Sequence, residues 1–149
     1  VAASYRATFV AMHNQRDVPA TRPANNDVID LIVSGLSVGL TRLSDAGVDD
    51  VIIDPGFGFG WTLEQNLELL RRLAELHVLG LPILIGTSRK GSIGKILRDR
   101  SVEDRLWGTA ATVAQSITAG TDIVRVHDVA AMADVARVVD AIVRRSTAR

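Results

Sequence analysis

Four short apolar runs recur along this chain, and each is followed by a longer stretch with helical spacing. The runs are 7–12 (Ala-Thr-Phe-Val-Ala-Met), Val51–Ile53, Ile83–Ile85 and Ile123–Val126. They are too short for helices and read as buried parallel strands. In the first intervening stretch Val28, Leu31, Ile32, Leu36, Leu40 and Leu43 share one helix face. Asp27 and Asp30 lie in its first turn, where the helix dipole favours carboxylates, and Gly47 is placed to end it. Thr62–Gln65 fits a capping box opening a helix through Leu63, Leu67, Leu70 and Leu73 that ends before Gly80. A third helix uses Leu106, Ala110, Val113, Ala114 and Ile117, from near Ser101 to Gly120. A fourth uses Met132, Val135, Ala136, Val139, Ile142 and Val143, with Asp128 as candidate N-cap.

The order βαβαβαβα predicts an α/β fold with a parallel sheet under helices. Each unit spans about 30–45 residues, so eight would fill the ~250 residues of a TIM (β/α)8 barrel, and four are present. A small doubly wound domain is the alternative. At 149 residues and 47% hydrophobic side chains the chain is expected to form a single domain, residues 1–149, and not a disordered segment. The absence of cysteine excludes a disulfide scaffold and a thiolate metal site. Lys+Arg and Asp+Glu both number 17, which argues against a nucleic-acid face. No apolar run reaches the ~18 residues of a membrane span, and the first ten residues lack a secretory pattern, so a cytoplasmic protein is expected. The chain starts at Val1, and Val1 to Arg6 reads as the tail of a preceding element, so a fragment is expected.

Polar residues gather at the carboxyl ends of the predicted strands, where α/β proteins bind ligands. Strand one runs into Met12-His13-Asn14-Gln15, strand two into Asp54 to Gly60, and strand three into Gly86-Thr87-Ser88-Arg89-Lys90-Gly91. Strand four carries Arg125 and ends in His127-Asp128. Asp54 either serves the turn at Pro55 or accepts two parallel N–H bonds from an amidine-like edge. Ser88-Arg89-Lys90 is either a solvated loop or a built site. The chain holds 15 arginines and only two lysines, Lys90 and Lys95, both near this loop, which points to a need for a compact ammonium. Arg125 and His127 flank one strand residue and so face the same side. They form either a buried Arg–Asp pair or an anion site helped by the next helix N-terminus. His13 and Asn14 read as satisfied polar residues or site residues, and Met12 as a pocket wall or core.

These residues resemble those of the dihydropteroate synthase family. The carriers are Asp54-Pro-Gly-Phe-Gly-Phe-Gly60, Gly86-Thr-Ser-Arg-Lys90 and Ile123-Val-Arg-Val-His-Asp-Val129, with lesser matches at Met12-His13-Asn14 and Arg105-Leu-Trp-Gly-Thr109. The resemblance covers essentially the whole chain and implies the C-terminal half, (β/α)4, of a TIM (β/α)8 barrel, strands five to eight. It implies condensation of p-aminobenzoate with 6-hydroxymethyl-7,8-dihydropterin diphosphate in folate biosynthesis, with Mg2+ and release of pyrophosphate. Asp54 and Lys90 would then bind the pterin, Met12 and Gly86 would line its slot, and Arg125 and His127 would hold the diphosphate. Phe59, Ser88 and Arg89 would lie among the substrate contacts, Phe59 and Ser88 toward p-aminobenzoate. Lys90, Asp54, Arg125 and His127 would be the catalytic group.

The resemblance also implies what is missing. The family's metal-binding asparagine, a second pterin-binding aspartate and asparagine, and mobile loops belong to an N-terminal half outside this chain, so no metal ligand is expected here. Position 91 is glycine where many relatives carry serine. The isolated half-barrel is expected to be a poor enzyme and to dimerise or aggregate through its open edges. The full-length protein is expected to be a homodimer, with Leu106 to Ile117 as a compatible apolar face, although a core-facing stripe has the same pattern. Partners would be small molecules, with neither nucleic acid nor membrane. The alternatives are a pterin-binding methyltransferase-type barrel, which needs no diphosphate clamp, and a non-catalytic half-barrel binding module.

Overall fold

The computed structural model describes residues 1–17 and 27–144. Its elements are α1 (Ala2–Tyr5), β1 (Phe9–Met12), α2 (Val28–Asp45), β2 (Val51–Asp54), α3 (Leu63–Arg71), β3 (Leu84–Ile85), α4 (Gly91–Ile96), α5 (Leu106–Thr118), β4 (Ile123–Val124) and α6 (Val129–Val143). Three 3-10 turns, Gln15–Asp17, Leu73–Leu79 and Glu103–Arg105, fill connections. No described helix is long and apolar enough to cross a membrane.

The strands lie side by side in chain order, all parallel. Phe9 to Met12 pair with Val51 to Asp54, and Leu84 and Ile85 pair with Ile123 and Val124. The two ladders meet at one rung, Ile53 with Ile83, where Ile53 N–H donates to Pro82 O at 2.9 Å. Sequential parallel order is the barrel pattern, whereas a doubly wound sheet reverses its order midway. The chain is therefore a (β/α)4 half-barrel.

The helices form for the reasons the spacing gives. Asp27 caps α2 by accepting from Ile29 N at 2.8 Å, and it also pairs with Arg72 at the end of α3. Thr62 and Gln65 make both bonds of the capping box. Ile32, Leu36, Leu69, Leu73, Leu76, Ile53, Ile83 and Ile85 form the main core between α2, α3 and the sheet. A smaller cluster of Val113, Ile117 and Met132 joins α5 to α6. The apolar face of Leu106 to Ile117 is therefore a core stripe, and the large exposed apolar residues on α5 and α6 are Trp107, Val129, Val138, Ile142 and Val143.

Three expectations need correction. Strand one starts at Phe9 instead of Ala7, because its partner β2 starts at Val51, opposite Phe9. Strand four ends at Val124 instead of Val126, because β3 ends at Ile85 and the last ladder bond is Arg125 N–H to Ile85 O at 2.9 Å. Asp128 stands at the N-cap position of α6 but makes no capping bond, since its carboxylate is drawn to Arg89. Helix α4, not expected from the apolar pattern, follows Lys90 directly.

Candidate functional site at the strand carboxyl ends

Asp54 ends β2 with 4% of its side chain exposed. Its Oδ1 accepts from Gly56 N–H at 2.8 Å, which makes it the turn aspartate. Its Oδ2 lies 3.4 Å from Arg125 Nη2, and Arg125 is 58% exposed. The turn reading of Asp54 is thus met, and since a carboxylate has about four acceptor sites and only two are used, acceptor capacity remains on this side chain. Arg125 touches the buried carboxylate through one long contact while its own side chain stays mostly exposed, so the two do not form a buried pair.

The loop after Asp54 is held from two sides. Gly56 has φ +73°, and a Cβ there would stand 1.8 Å from His13 O. On the other side Asn66, 1% exposed, accepts from Gly58 N–H at 2.7 Å and donates to Thr62 O at 2.7 Å and Trp61 O at 3.3 Å. Asn66 escaped the sequence reading. Its signal was present: a lone asparagine in the apolar stripe of α3, between Leu63 and Leu70, whose amide must find partners when buried.

Lys90 crosses from the next loop and sets its Nζ 3.9 Å from the centre of the Phe59 ring, a cation–π contact. Burial pushes the Lys90 ammonium below the usual lysine value; Arg125 and Arg16 push the same way and Asp54 opposes them. Gly86 leaves space for Arg125, since a Cβ there would come 2.8 Å from Nη2.

Ser88 joins the third and fourth strand ends. Its buried Oγ accepts from His127 N–H at 3.2 Å and lies 2.9 Å from His127 Nδ1. Ser88 thereby holds His127 at both its backbone N–H and its Nδ1, which fixes the ring's orientation. Arg89 is placed differently. Its guanidinium grips Asp128 bidentately at 3.0 and 2.6 Å. Its backbone N–H donates to Thr109 Oγ1 at 3.0 Å, and its carbonyl accepts from Arg105 Nη1 at 2.9 Å. Arg89 reaches the cleft wall, but its charge is spent tying the β3 loop to α6.

This tie carries an acid-sensitivity prediction. The Arg89 bond holds the Asp128 carboxyl below the usual carboxylate range. Its folded-state pKa is thus depressed, so its stabilisation is present above the unfolded value near 4 and is lost as pH falls through the folded one. Asp128→Asn should lower Tm at pH 7, and the gap to wild type should close toward pH 2–3. A gap that does not change with pH would remove the ion pair as its cause.

Gly86, Ser88, Lys90, Arg125 and His127 line an open cleft of ≈ 450 Å³. Asp54 and Phe59 border it through Arg125 and Lys90. Met12 is 40% exposed at the end of edge strand β1, so it is not core, and it pairs in register with Asp54. His13 is buried, stacked on Trp61 at 5.4 Å, and bonded to Gln15 at 3.1 Å. Among the described residues no group of three or more His, Cys, Asp or Glu could hold a metal ion.

A parallel half-barrel thus sets one buried carboxylate, Asp54, beside the donor side chains Lys90, Arg125 and His127 at its strand ends. Comparison with known proteins agrees: the family described as "Pterin binding enzyme" matches residues 1–127. The chain belongs to this family of pterin-binding enzymes. It is 46% identical to the dihydropteroate synthase of Synechocystis sp., over 97% of this chain and 51% of that protein. The Clostridium difficile dihydropteroate synthase, solved in the presence of pteroic acid, superposes with a TM-score of 0.88 at 43% identity, over 96% of this chain and 53% of that one. The Xanthomonas albilineans dihydropteroate synthase with 4-aminobenzoic acid gives 0.85 at 36%, over 95% and 51%. The chain spans about half the length of the relatives it matches.

Proposed function

We propose that this chain is the C-terminal half of a dihydropteroate synthase, one partial domain of a cytoplasmic transferase in folate biosynthesis. The observation that carries the reading is the buried Asp54 carboxylate set beside Arg125 at 3.4 Å, at the mouth of a parallel half-barrel. A pterin offers two parallel N–H donors, and these would take over the free acceptor sites of Asp54. Arg125 would then turn its exposed guanidinium to the diphosphate, with His127 beside it.

In this mechanism the pterin's methylene carbon loses pyrophosphate and becomes cation-like. Arg125 and His127 neutralise charge gathering on the leaving group. Lys90 donates to the pterin's acceptor edge, and the amine of p-aminobenzoate attacks the carbon. No enzyme nucleophile is required, and positioning supplies most of the rate. Ser88 acts through His127 and Arg89 through Asp128, as positioning residues. Met12 and Gly86 border the pterin, and Phe59 the amine substrate. No step here depends on Mg2+. Exposed Trp107, Val138 and Ile142 are the apolar surface for the proposed full-length homodimer. Sedimentation of a full-length protein with these three changed to serine should give a monomer.

Arg125→Ala should weaken binding of a pterin diphosphate much more than of the plain pterin, measured by calorimetry. An equal effect on both would make Arg125 structural. The function itself is tested by p-aminobenzoate-dependent pyrophosphate release from pterin diphosphate with Mg2+. The chain is assayed alone and with the N-terminal half of the Synechocystis relative. Activity only in the combination is expected. None in a folded, associated pair would overturn the reading in favour of a non-catalytic binding module.

A further inference from the structure

The motif Arg105-Leu-Trp-Gly-Thr109 has no part in the proposed chemistry, yet its two polar ends converge on the residue before Lys90. Arg105 closes the 3-10 turn ahead of α5, and Thr109 stands one helical turn further on, so the two side chains share a face. Buried Thr109 Oγ1 accepts from Arg89 N–H at 3.0 Å, and Arg105 Nη1 donates to Arg89 O at 2.9 Å. Arg105 Nε and Nη2 also donate to Arg100 O, at 3.0 and 2.8 Å, so these guanidinium bonds all run to main-chain carbonyls. Gly94 leaves the slot for the guanidinium, since a Cβ there would stand 2.6 Å from Arg105 Cζ. At Gly108 a Cβ would stand 2.3 Å from Ile93 Cγ2, so α4 and α5 close on each other through the two glycines.

Arg89 needs this grip. Its φ is +57°, a left-handed conformation that a residue other than glycine keeps only where its surroundings fix it. Lys90 N–H closes the turn by donating to Thr87 O at 3.2 Å, and α4 opens at the next residue. From this turn the Lys90 side chain runs over Gly58, where a Cβ would stand 3.0 Å from Lys90 Cδ, to the Phe59 ring. Burial disfavours its charge there, and so do Arg125 and Arg16, with Asp54 opposing them. An ammonium in such surroundings swings out unless its backbone is held. We propose that Arg105, together with Thr109, is a positioning residue for Lys90: by fixing both main-chain polar groups of Arg89 it sets where the Lys90 ammonium meets the ligand. The inference rests on the function proposed above, which gives Lys90 the pterin's acceptor edge. A strut serving the α4 to α5 connection alone could end on Arg100 O, whereas the bond to Arg89 O acts on the peptide that leads into Lys90.

Lys90 and Lys95 are the only lysines of the chain, so labelling it with 13C at lysine Cε gives two NMR signals, one from a side chain over Phe59 and one from an exposed side chain. The labelled chain is combined with the unlabelled N-terminal half of the Synechocystis relative. In wild type the ring current of Phe59 should move the Lys90 ε-methylene protons upfield of those of Lys95. Arg105→Met and Thr109→Val each remove one hold on Arg89. Both should return the Lys90 signal toward that of Lys95 and weaken binding of a plain pterin roughly tenfold, the effect of losing about one charge-assisted bond. Arg144→Met is the matched control: it removes a bond to another main-chain carbonyl, Thr121 O at 2.7 Å, at the end of α6, and should change neither readout. The inference is overturned if the two wild-type signals coincide, if the Lys90 signal stays in place in either folded variant, or if Arg144→Met displaces it equally. A displaced signal with unchanged pterin affinity also overturns it. If wild type binds no pterin, the proposed function fails, and the signals alone decide Arg105. Should one variant not fold, the other decides; if neither folds, the motif serves the fold and the inference is overturned.

Discussion

Gly56→Ala should cost about 3 kcal/mol or more of stability, the sum of a left-handed backbone forced on a side chain and an overpacked contact. The methyl group would stand 1.8 Å from His13 O, and that carbonyl cannot step aside. It belongs to the chain segment that continues β1, whose His13 N–H donates to Asp54 O at 2.9 Å. Moving it would break the top rung between the first two strand ends and unseat His13 from Trp61. Urea denaturation followed by tryptophan fluorescence reads both losses. The matched control is Gly39→Ala in α2, where a Cβ meets nothing within 4 Å. That change should stabilise by about 0.5–1 kcal/mol through helix propensity alone. If the two variants melt together, the close approach at Gly56 is not what fixes this loop.

Asp54→Asn should weaken pterin binding by about 1–3 kcal/mol, or roughly ten- to a hundredfold. The substitution keeps the shape and an acceptor for Gly56 N–H, so the fold should survive. It removes the charge and turns one acceptor oxygen into a donor. That donor faces both Arg125 and the incoming ligand N–H groups, and it can satisfy neither. The measurement is calorimetric titration of a plain pterin into this chain combined with the N-terminal half of the Synechocystis relative, which separates Asp54 from the diphosphate contacts. Unchanged affinity would assign Asp54 to the turn alone.

The architecture was legible because its signals are local. Strand runs of β-branched residues, a capping box at Thr62 and a carboxylate at Asp27 each act within a few residues. Boundaries were less legible where a distant partner decides them. β1 starts only where β2 does, and β4 stops because β3 does. Within the site, Asp54, Lys90, Arg125 and His127 could be named from their places at strand ends, and the structure brings them to one cleft. Asp128 and Arg89 show the limit. Each has a sensible local role, as helix cap and as loop cation. Their bidentate pairing across 39 residues displaces both roles. Asn66 shows the converse, since its place in the apolar stripe of α3 marked it for burial but not its partner, the Gly58 N–H eight residues back.

The single rung between Ile53 and Ile83 has a consequence for the ligand site. Each ladder is stiff within itself, but the sheet can alter its curvature at this seam without remaking either ladder. The cleft straddles the same seam. Asp54 and Phe59 stand on the first pair of strands, and Lys90, Arg125 and His127 follow the second. The radius to which a complementary half bends the sheet therefore also sets the separation between carboxylate and cations.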